Sequence, residues 1–590
     1  MRRRAFWLSA LFLCMSAVTA MLHAQTVIDL SVKAPDFKVT GRASINKTGH
    51  ALAVGDINGD GIDDLIIGTP GEDENSRPLE GRVFVFFGSS SLAGTKDLAV
   101  DAPDLEVVGS QLHSGLGSAV LAADLNGDQI DDLIVSEPGA FTAQGDQTGT
   151  VSIFFGRTTF ASLMTVLDAD VRIEGEAAVD GFGQALARGD FNNDGALDLV
   201  IGVPFADAQG RANAGKVYVI AGRSQWPKVI SLPDTAADFV VVGAATTQFL
   251  GNSVACADVN RDGRDDLVIG DFKANTSIGV DAGQTYVIFG SDSLSSEYDL
   301  AQTPADVTIS GESEQDHFGI AVATGDFDGD GQQDIAVGAR RADPGNSSDV
   351  GKVYLFPSQA VWPKQLDLSN SAAKVTLVGA GEVNTLGSAL AVGHVDGDQR
   401  ADLIMGAPFS TPSGRADAGE VVVSFGQPFP DATLERTTDD LEILALGGAA
   451  GDHLGNAVAA GDLNDDGLDE VIMAAEDAAG PGEIFVFFGD VVTEVAVRDP
   501  SVPNAFFLDQ NFPNPFNPAT TIRYRVSGSP DVSLKVYDVT GREVATLVKG
   551  KVTAGEHEVT WDAADLASGL YIYRLRAGQF RASRKLLLLK

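Results

Sequence analysis

Cysteine and histidine, which supply many catalytic and transition-metal sites, are scarce in this sequence. Of 590 residues, two are cysteine and seven are histidine, and aromatic side chains make up only 7%. Cys14 lies in an N-terminal segment that we expect to be removed, so the mature chain keeps Cys256 alone. It can then form no internal disulfide bond, and a secreted chain of this kind must be stabilised in another way.

Positive charge is also in short supply. Forty-one lysines and arginines face 82 aspartates and glutamates, which gives a formal net charge of −41. Such a chain repels phosphate, so we expect no nucleic acid partner. The excess of acids suits a protein that binds hard cations, although part of it is a solvated acidic surface.

Long apolar runs are missing beyond the N terminus. The basic segment Met1-Arg2-Arg3-Arg4 precedes a mostly apolar run from Ala5 to Ala20, and Leu22-His23-Ala24, which ends in a small residue, follows. This order predicts a secretory signal peptide over residues 1–24, with an uncut membrane anchor as the alternative. No later run is long enough to cross a membrane, so we expect no transmembrane span in the mature chain.

What the sequence has in abundance is glycine, 66 residues in all, and an acidic loop that occurs seven times. The loop has the form D-x-[DN]-x-D-G and begins at positions 66 or 68 residues apart, namely Asp56, Asp124, Asp190, Asp258, Asp326, His394 and Asp462. A glycine lies seven residues before each loop, and about four short apolar strands surround it. Because the pattern shows no helical period, it predicts an all-β fold in which each unit is one propeller blade.

The seven units predict a seven-bladed β-propeller over residues 25–499, with a linear solenoid as the competing architecture. Phe37–Thr40 reads as a fourth strand that precedes the first loop and has no blade of its own. We expect it to complete the last blade and so to join the two ends of the ring.

The alternating oxygen ligands of each loop are typical of a calcium site, because calcium takes six to eight oxygens in flexible geometry. Positions 1, 3, 5 and 9 would bind through side chains and position 7 through its carbonyl. The candidate ligands are Asp56, Asn58, Asp60, Ile62 and Asp64; Asp124, Asn126, Asp128, Ile130 and Asp132; Asp190, Asn192, Asp194, Ala196 and Asp198; Asp258, Asn260, Asp262, Arg264 and Asp266; Asp326, Asp328, Asp330, Gln332 and Asp334; Asp396, Asp398 and Asp402; and Asp462, Asn464, Asp466, Leu468 and Glu470.

Up to seven Ca²⁺ sites follow from this pattern, but the sixth loop is doubtful. It opens with His394, and imidazole is a poor ligand for a hard cation. An EF-hand is disfavoured in every loop, because position 12 is an apolar residue such as Ile67 instead of the glutamate that starts a helix. The alternative that remains is a set of side-chain-capped turns without metal.

The composition changes near residue 500. Residues 502–590 contain 12 basic and 8 acidic side chains, and they open with a segment rich in proline and asparagine. Short alternating strands follow, such as Val532–Tyr537 and Leu570–Leu575. We therefore expect residues 500–590 to form a second domain, a small Ig-like β-sandwich.

Two resemblances carry the interpretation further. A Phe-Gly pair, a calcium loop and a Gly-x-Pro sequence, as in Phe182-Gly183 through Gly202-Val203-Pro204, resemble the FG-GAP repeat of the integrin α-subunit propeller and of glycosylphosphatidylinositol-specific phospholipase D. Asn511-Phe512-Pro513-Asn514-Pro515-Phe516-Asn517-Pro518, Val536-Tyr537-Asp538 and the final Lys585–Lys590 resemble the C-terminal sorting domain of the type IX secretion system. That resemblance implies contact with the secretion machinery and a location on the outer face of a Gram-negative outer membrane; an ordinary adhesion module is the alternative for this segment.

The sequence points away from an enzyme. It contains no Gly-x-Ser-x-Gly elbow, no His-Glu-x-x-His motif and no cluster of cysteine and histidine. We expect a secreted calcium-binding adhesion module with an unidentified protein or glycan ligand. A propeller-based extracellular hydrolase or lyase and a purely structural surface protein remain as alternatives.

Overall fold

The computed structural model describes most of the chain from Gln25 onwards. The described residues are 25–42, 47–71, 80–109, 111–142, 146–232, 237–291, 297–344, 347–381, 383–430, 432–438, 441–489, 507–508, 514, 516–526, 531–538, 542–552, 555–564, 566, 568–577 and 580–589. The predicted signal peptide and the predicted domain boundary at 499/500 lie outside them. The chain divides into two compact units, Met1–Thr493 and Glu494–Lys590.

Among its described residues, the first unit consists of short strands and two single-turn 3₁₀ helices, Val166–Asp168 and Pro412–Gly414. Its strands are β1 (Thr26–Asp29), β2 (Phe37–Thr40), β3 (Ala51–Gly55), β4 (Asp64–Thr69), β5 (Arg82–Phe86), β6 (Gly94–Asp97), β7 (Leu105–Val108), β8 (Val120–Ala123), β9 (Asp132–Glu137), β10 (Thr150–Phe154), β11 (Leu163–Thr165), β12 (Val171–Glu174), β13 (Ala185–Gly189), β14 (Asp198–Val203), β15 (Lys216–Ile220), β16 (Val229–Ser231), β17 (Phe239–Val242), β18 (Ser253–Ala257), β19 (Asp266–Asp271), β20 (Gln284–Ile288), β21 (Glu297–Asp299), β22 (Val307–Ser310), β23 (Phe318–Gly325), β24 (Asp334–Ala339), β25 (Lys352–Phe356), β26 (Gln365–Asp367), β27 (Val375–Val378), β28 (Ala389–Gly393), β29 (Asp402–Ala407), β30 (Glu420–Ser424), β31 (Leu434–Thr437), β32 (Ile443–Leu446), β33 (Leu454–Gly461), β34 (Glu470–Ala475) and β35 (Glu483–Phe487).

Each repeat forms one blade, as the sequence predicts. In the first blade β3, β4, β5 and β7 pair antiparallel in that order. The strand β11, which comes from the next repeat, then pairs with β7 in parallel. Seven sheets of five strands follow this plan. The fifth strand was not expected from the sequence, which indicated four strands per blade.

The ring closes in the predicted way. Strand β2 pairs antiparallel with β35 and so supplies the fourth strand of the seventh blade. Strand β1 pairs in parallel with β32 as the fifth strand of the sixth blade. The innermost strand of the last blade, β33, lies against β3 of the first. The N-terminal segment thus bonds to two different blades, and the fold is a closed seven-bladed β-propeller.

The second strand of each blade forms the core. Every residue of β4, β9, β14, β19, β24, β29 and β34 is buried. These strands are covered on both faces because each blade is packed between two neighbours, which is why they read as continuous apolar runs. Ile66 of the first blade packs in one cluster with Leu133 and Val135 of the second.

Neighbouring blades touch through glycine. Gly319 precedes the fifth loop and has a φ of +87°, and a Cβ added to it would lie 2.6 Å from the Gln284 carbonyl oxygen. Gly270, in the second strand of the preceding blade, faces it: a Cβ there would lie 2.1 Å from the Gly319 carbonyl oxygen. The repeated glycines of the sequence are therefore the places where two backbones meet without side chains between them.

The second unit has seven strands: β36 (Phe507–Leu508), β37 (Ala519–Val526), β38 (Asp531–Asp538), β39 (Glu543–Lys551), β40 (Gly555–Asp562), β41 (Gly569–Ala577) and β42 (Phe580–Leu588). They form a sheet of order β36-β37-β40 and a sheet of order β39-β38-β41-β42. Ile522 and Trp561 of the first sheet share one core with Leu534 and Tyr573 of the second. Two packed sheets are the sandwich that the sequence predicts.

The glycine contacts lead to a stability prediction. We expect Gly319→Ala to lower the free energy of unfolding more than Gly94→Ala, which has the same φ of +87° but no atom within 4 Å of an added Cβ. Both variants bear the cost of a side chain in the left-handed region, about 1–2 kcal/mol. The Gly319 variant also forces two blades apart, which adds roughly 1–3 kcal/mol. Urea or thermal unfolding measures the difference, and equal losses in the two variants would contradict it.

Candidate metal sites

All seven acidic loops are hairpins of the same kind. Each connects the first strand of a blade to the second, as the loop after Gly55 connects β3 to β4, so all lie at the same end of the blades. Position 12 of each loop falls inside the second strand. The flanking elements are strands on both sides, so the loops are not EF-hands.

The first acid of the loop folds the chain around itself. The Asp56 carboxylate accepts hydrogen bonds from the backbone N–H groups of Gly59, Asp60 and Gly61 at 2.7, 3.1 and 2.7 Å. Asp124 and Asp326 accept the corresponding three bonds in the second and fifth loops. The acid at position 5 accepts from the N–H at position 7, as Asp60 does from Ile62 at 3.0 Å. These bonds form the tight turn, and both metal-bound and metal-free turns use them.

The acid at position 9 is the buried centre of each loop. Asp64 is fully buried and accepts hydrogen bonds from the Ile57 N–H at 3.1 Å, from the Asn58 side-chain amide at 3.0 Å and from the Gly88 N–H at 3.0 Å. Gly88 follows the third strand of the blade, so this one carboxylate joins the loop to the far end of the hairpin. The same buried acid recurs as Asp132, Asp198, Asp266, Asp334, Asp402 and Glu470.

Burial makes the ionised form of these carboxylates unfavourable. Desolvation, together with the charges of Asp60 and Asp56, raises the pKa of Asp64 to about 7. Burial likewise raises the pKa of Asp266 and Asp334 to about 7 and that of Glu470 to about 8. A cation beside each carboxylate would favour its ionised form and remove the repulsion from the neighbouring acids.

An amide oxygen in the fourth loop also fits a cation. The Asn260 side-chain amide donates to Asp266 at 2.9 Å, which leaves the oxygen Oδ1 as the free end of the group. This oxygen is buried and has no hydrogen-bond partner among the described residues. A hard cation coordinated by oxygen would supply the missing partner.

Two loops bring three acids close together. Asp326, Asp328 and Asp334 of the fifth loop each place a carboxylate oxygen within 4.8 Å of the others. Asp462, Asp466 and Glu470 do the same in the seventh loop. These two groups could hold a metal ion, and their donors are all oxygens, which suits calcium better than zinc or copper.

The sixth loop provides its own cation. The Arg400 side chain at position 7 donates to Asp398 at 2.6 Å. The imidazole Nδ1 of His394 donates to the Arg400 carbonyl oxygen at 2.9 Å. The position-7 carbonyl and the position-5 carboxylate are therefore already engaged, and this donor set does not fit a calcium ion.

A contact between loops was missed by the sequence reasoning. The acid at position 8 reaches the preceding blade: Asp265 accepts from the Asp190 N–H at 2.8 Å, and Asp63 accepts from the Asp462 N–H at 3.1 Å. A Cβ on Gly189, the residue before Asp190, would lie 2.9 Å from the Asp265 carboxylate.

The repeats themselves contain a signal for this contact. Where the residue before the loop is alanine, at Ala123 and Ala257, position 8 of the next loop is Leu197 or Gln333 instead of aspartate. The pairing of glycine with aspartate across repeats could have revealed the contact, but only once neighbouring blades were known to meet there.

Comparison with known families follows the division into two units. The FG-GAP repeat profile matches residues 48–86, 116–154, 182–220, 318–356 and 386–424. The secretion system C-terminal sorting domain matches residues 510–589. The chain contains five FG-GAP repeats and a type IX sorting domain, and the fourth and seventh units have the same blade structure as the five that match.

Several known proteins are similar to the chain. Phosphatidylinositol-glycan-specific phospholipase D from Homo sapiens is 28% identical over 421 residues, which cover 66% of this chain and 46% of that protein. Integrin alpha-5 from Xenopus laevis is 31% identical over 233 residues, which cover 38% of this chain and 20% of that protein. The chain spans about half the length of the phospholipases and less of the integrins.

Among solved structures, PorZ, a bacterial surface component of the type IX secretion system of Porphyromonas gingivalis, matches with 13% identity and a TM-score of 0.28. The match covers 91% of this chain and 51% of that chain. A score this low does not establish a common overall architecture.

The sorting domain indicates where the protein resides. It makes the protein a substrate of the type IX machinery, with a secreted, cell-surface location. No helix of sufficient length and apolar character to span a membrane occurs in the part of the chain that the structure describes.

The buried acids lead to a pH prediction. In a chelating buffer we expect the unfolding temperature to rise as the pH is lowered from about 8 to about 6. The pKa of Asp64 is about 7 in the folded chain against an ordinary value of 3.8, so the folded state binds the proton more tightly and gains stability as the pH falls.

Glu476 does not oppose this trend in the same window. Its pKa is held at about 2 by His50 and Lys47, so its contribution to stability is lost only at lower pH. Calorimetry at a series of pH values is the measurement. An unfolding temperature that falls steadily from pH 8 to pH 6 in chelator would contradict the prediction.

Proposed function

We propose that the protein is a secreted ligand-binding propeller of the adhesion type, that calcium ions pin its loops, and that it has no catalytic activity. The proposal rests chiefly on the buried carboxylate at position 9 of each loop. Such a group is costly to ionise in a metal-free protein and is stabilised as an anion by a bound cation. The sorting domain and the integrin relatives support a role at the cell surface.

Calcium would be held by six of the seven loops. The ligands are the side chains at positions 1, 3, 5 and 9 and the carbonyl at position 7, as in Asp326, Asp328, Asp330, Asp334 and Gln332. The ion would fix each hairpin next to the axis of the ring. Since only the folded chain holds these ligands together, calcium would stabilise it by mass action, by about 2.7 kcal/mol per site at a free concentration 100 times the Kd.

The described residues support a binding role over a catalytic one. The Cys256 thiol has its pKa raised by burial, which leaves it protonated and weakly nucleophilic. His50 and His453 are each engaged with a carboxylate, Glu476 at 3.1 Å and Asp477 at 2.8 Å. The phospholipase relatives are matched over less than half of their length, so the match is no ground for assigning their activity to this chain.

Counting bound ions tests the calcium sites. We expect about six ions per chain and a large drop in unfolding temperature in chelator. Asp328→Ala, which removes the oxygen ligand at position 3 of the fifth loop, should remove or weaken one site. Asp396→Ala, at position 3 of the sixth loop, should leave the count unchanged. Isothermal titration calorimetry with Ca²⁺ and with Mg²⁺ measures both, and unfolding that is indifferent to chelator would show the loops to be metal-free turns.

The sixth loop allows the opposite test. We expect the double variant His394→Asp and Arg400→Gln to bind one additional calcium ion, because it removes the internal cation and restores an acid at position 1. Gln occupies position 7 of the fifth loop, so the replacement is compatible with the turn. The single variant Arg400→Gln is the control. An unchanged ion count in the double variant would mean that charge at these two positions is not what excludes calcium.

A further inference from the structure

The loops at the other end of the blades differ strongly from one blade to the next. They are the connections from the second strand to the third and from the fourth strand to the next blade, and the antiparallel order of the strands places them opposite the acidic hairpins. We call this end of the ring the upper face. The acidic loops repeat nearly unchanged, whereas the connecting loops of the upper face differ in sequence from blade to blade.

One position of the upper face has the same backbone in all seven blades. It lies two residues before the repeat glycine and has a positive φ, between 53° and 74°, in Lys47, Gly115, Gly181, Phe249, His317, Thr385 and His453. A left-handed residue is uncommon unless it is glycine. The fold therefore fixes this backbone conformation and leaves the choice of side chain free for recognition.

Three phenylalanine rings that are not fully buried form a row across the upper face of blades 3 and 4, and the ring of His317 in blade 5, which is only 3% exposed, packs against the end of this row. The ring centroids of Phe205 and Phe249 are 5.5 Å apart, those of Phe249 and Phe272 are 6.1 Å apart, and those of Phe272 and His317 are 5.2 Å apart. Phe205 is 42% exposed, which is high for a phenylalanine in a chain with few aromatic residues. Its ring occupies the space beside Gly181, where a Cβ would lie 2.7 Å from the Phe205 ring.

The row ends at an unpaired arginine. Arg340 stands 68 residues after Phe272 and is the equivalent residue of the fifth repeat. It is close enough to His317 for its charge to lower the pKa of the imidazole. It makes no hydrogen bond or ion pair with any described residue; desolvation and the charge of Arg341 lower its pKa, and the charge of Asp349 opposes this shift. A charge that is largely removed from water without a partner is unfavourable.

The cationic side chains next to Arg340 already have ion-pair partners. Arg341 pairs with Asp349 at 2.8 Å, and Lys273 pairs with Asp281 at 2.7 Å. The buried imidazole of His317 has no hydrogen-bond partner among the described residues, and burial beside these cations lowers its pKa to about 4, so it is neutral. Of Arg340, Arg341 and Lys273, Arg340 is therefore the one without an ion-pair partner among the described residues.

We propose that the aromatic row formed by Phe205, Phe249 and Phe272, with Arg340 at its end, is a docking surface for a protein segment that presents a carboxylate among apolar side chains. This proposal rests on the proposed function and names the partner class. Aromatic residues and arginine are the types enriched at the centres of protein interfaces. The guanidinium would bind the carboxylate in a bidentate pair, and the rings would cover the apolar neighbours.

The net charge of the chain further restricts which proteins could be the partner. A strongly acidic protein would be repelled by the propeller before contact. The carboxylate recognised by Arg340 therefore belongs to a segment whose surroundings are neutral or basic.

A second aromatic pair on the same face provides an internal comparison. The rings of Phe409 and His453 lie 5.1 Å apart, as in the Phe205 and Phe249 pair. Here the residue that corresponds to Arg340 is Glu476, which pairs with Lys47 at 3.0 Å. The described residues of this sector provide aromatic surface but no unpaired cation, so we expect it not to bind the same segment.

The test is a selection from a phage-displayed library of random linear peptides on the full-length protein in calcium. We expect enriched peptides to carry aspartate or glutamate next to an aromatic or aliphatic residue. Each enriched peptide is synthesised together with its amide counterpart, in which Asn or Gln replaces the acid, and binding is measured by fluorescence anisotropy.

Matched variants locate the binding. Replacement of the acid by its amide, Arg340→Gln and Phe272→Ala should each weaken binding by about tenfold or more, because the charged pair and its apolar cover are lost. Arg341→Gln, whose parent side chain is paired with Asp349, and Phe409→Ala, in the other aromatic pair, should leave binding unchanged. Unfolding temperatures in calcium confirm that each variant is folded.

Several results would overturn the proposal. They are enrichment of basic peptides, no enrichment at all, equal binding by acid and amide peptides, and equal losses in Arg340→Gln and Arg341→Gln. A glycan array that shows Arg340-dependent binding of acidic sugars, with no peptide bound, would place the partner in another class and leave the proposed adhesion function intact. Loss of the calcium effect on unfolding would count against the proposed function alone.

Discussion

The close approach of backbones between neighbouring blades is the contact on which the propeller depends. Gly270 and Gly319 meet with no side chain between them, and the pairs Gly338 with Gly387 and Gly406 with Gly455 repeat this contact in the next two blades. A side chain at either position would tilt one blade against the next, and seven such errors would prevent the ring from closing. Where one partner is a small residue instead, as at Ala474 opposite Gly49, the spacing is still set by the single remaining glycine.

The acidic loops depend on this spacing as well. The acid at position 8 reaches the backbone of the previous loop only because the residue before that loop is glycine and the two blades are close. Asp265 and Asp63 thus bond their hairpins to the preceding ones, while the acid at position 9 bonds the hairpin to its own third strand. A cation in such a loop would therefore stiffen the contacts of two blades, whereas the loops with Leu197, Gln333 or Ala401 at position 8 lack this carboxylate.

The sequence was sufficient for the features that are local and repeated. Loop position, the first four strands of each blade, seven blades and closure through Phe37–Thr40 all follow from a pattern that occurs seven times. The fifth strands escaped prediction because they are three or four residues long, as Val229–Ser231 is, and pair with a strand of another repeat. The inter-loop contact of Asp265 escaped prediction for the same reason, since its partner is 75 residues away.

The internal cation of the sixth loop could be anticipated only in part. His394 marked the loop as unusual, but the pairing of Arg400 with Asp398 depends on the side-chain direction at position 7.

The contrast between the two ends of the ring explains how a repetitive fold can be specific. At the acidic end every blade performs the same task, so the residues repeat, and a departure such as His394 is compensated within its own loop by Arg400. At the upper face the fold requires only a left-handed backbone, and it accepts lysine, glycine, phenylalanine, histidine or threonine there without changing the blade. Selection on that position can change a surface without disturbing the packing beneath it. Arg340 lies on the same face at a different position, directly after the second strand of the fifth blade, and it has no ion-pair partner among the described residues. An unfavourable group on an otherwise well-paired surface is best explained by a partner that binds it.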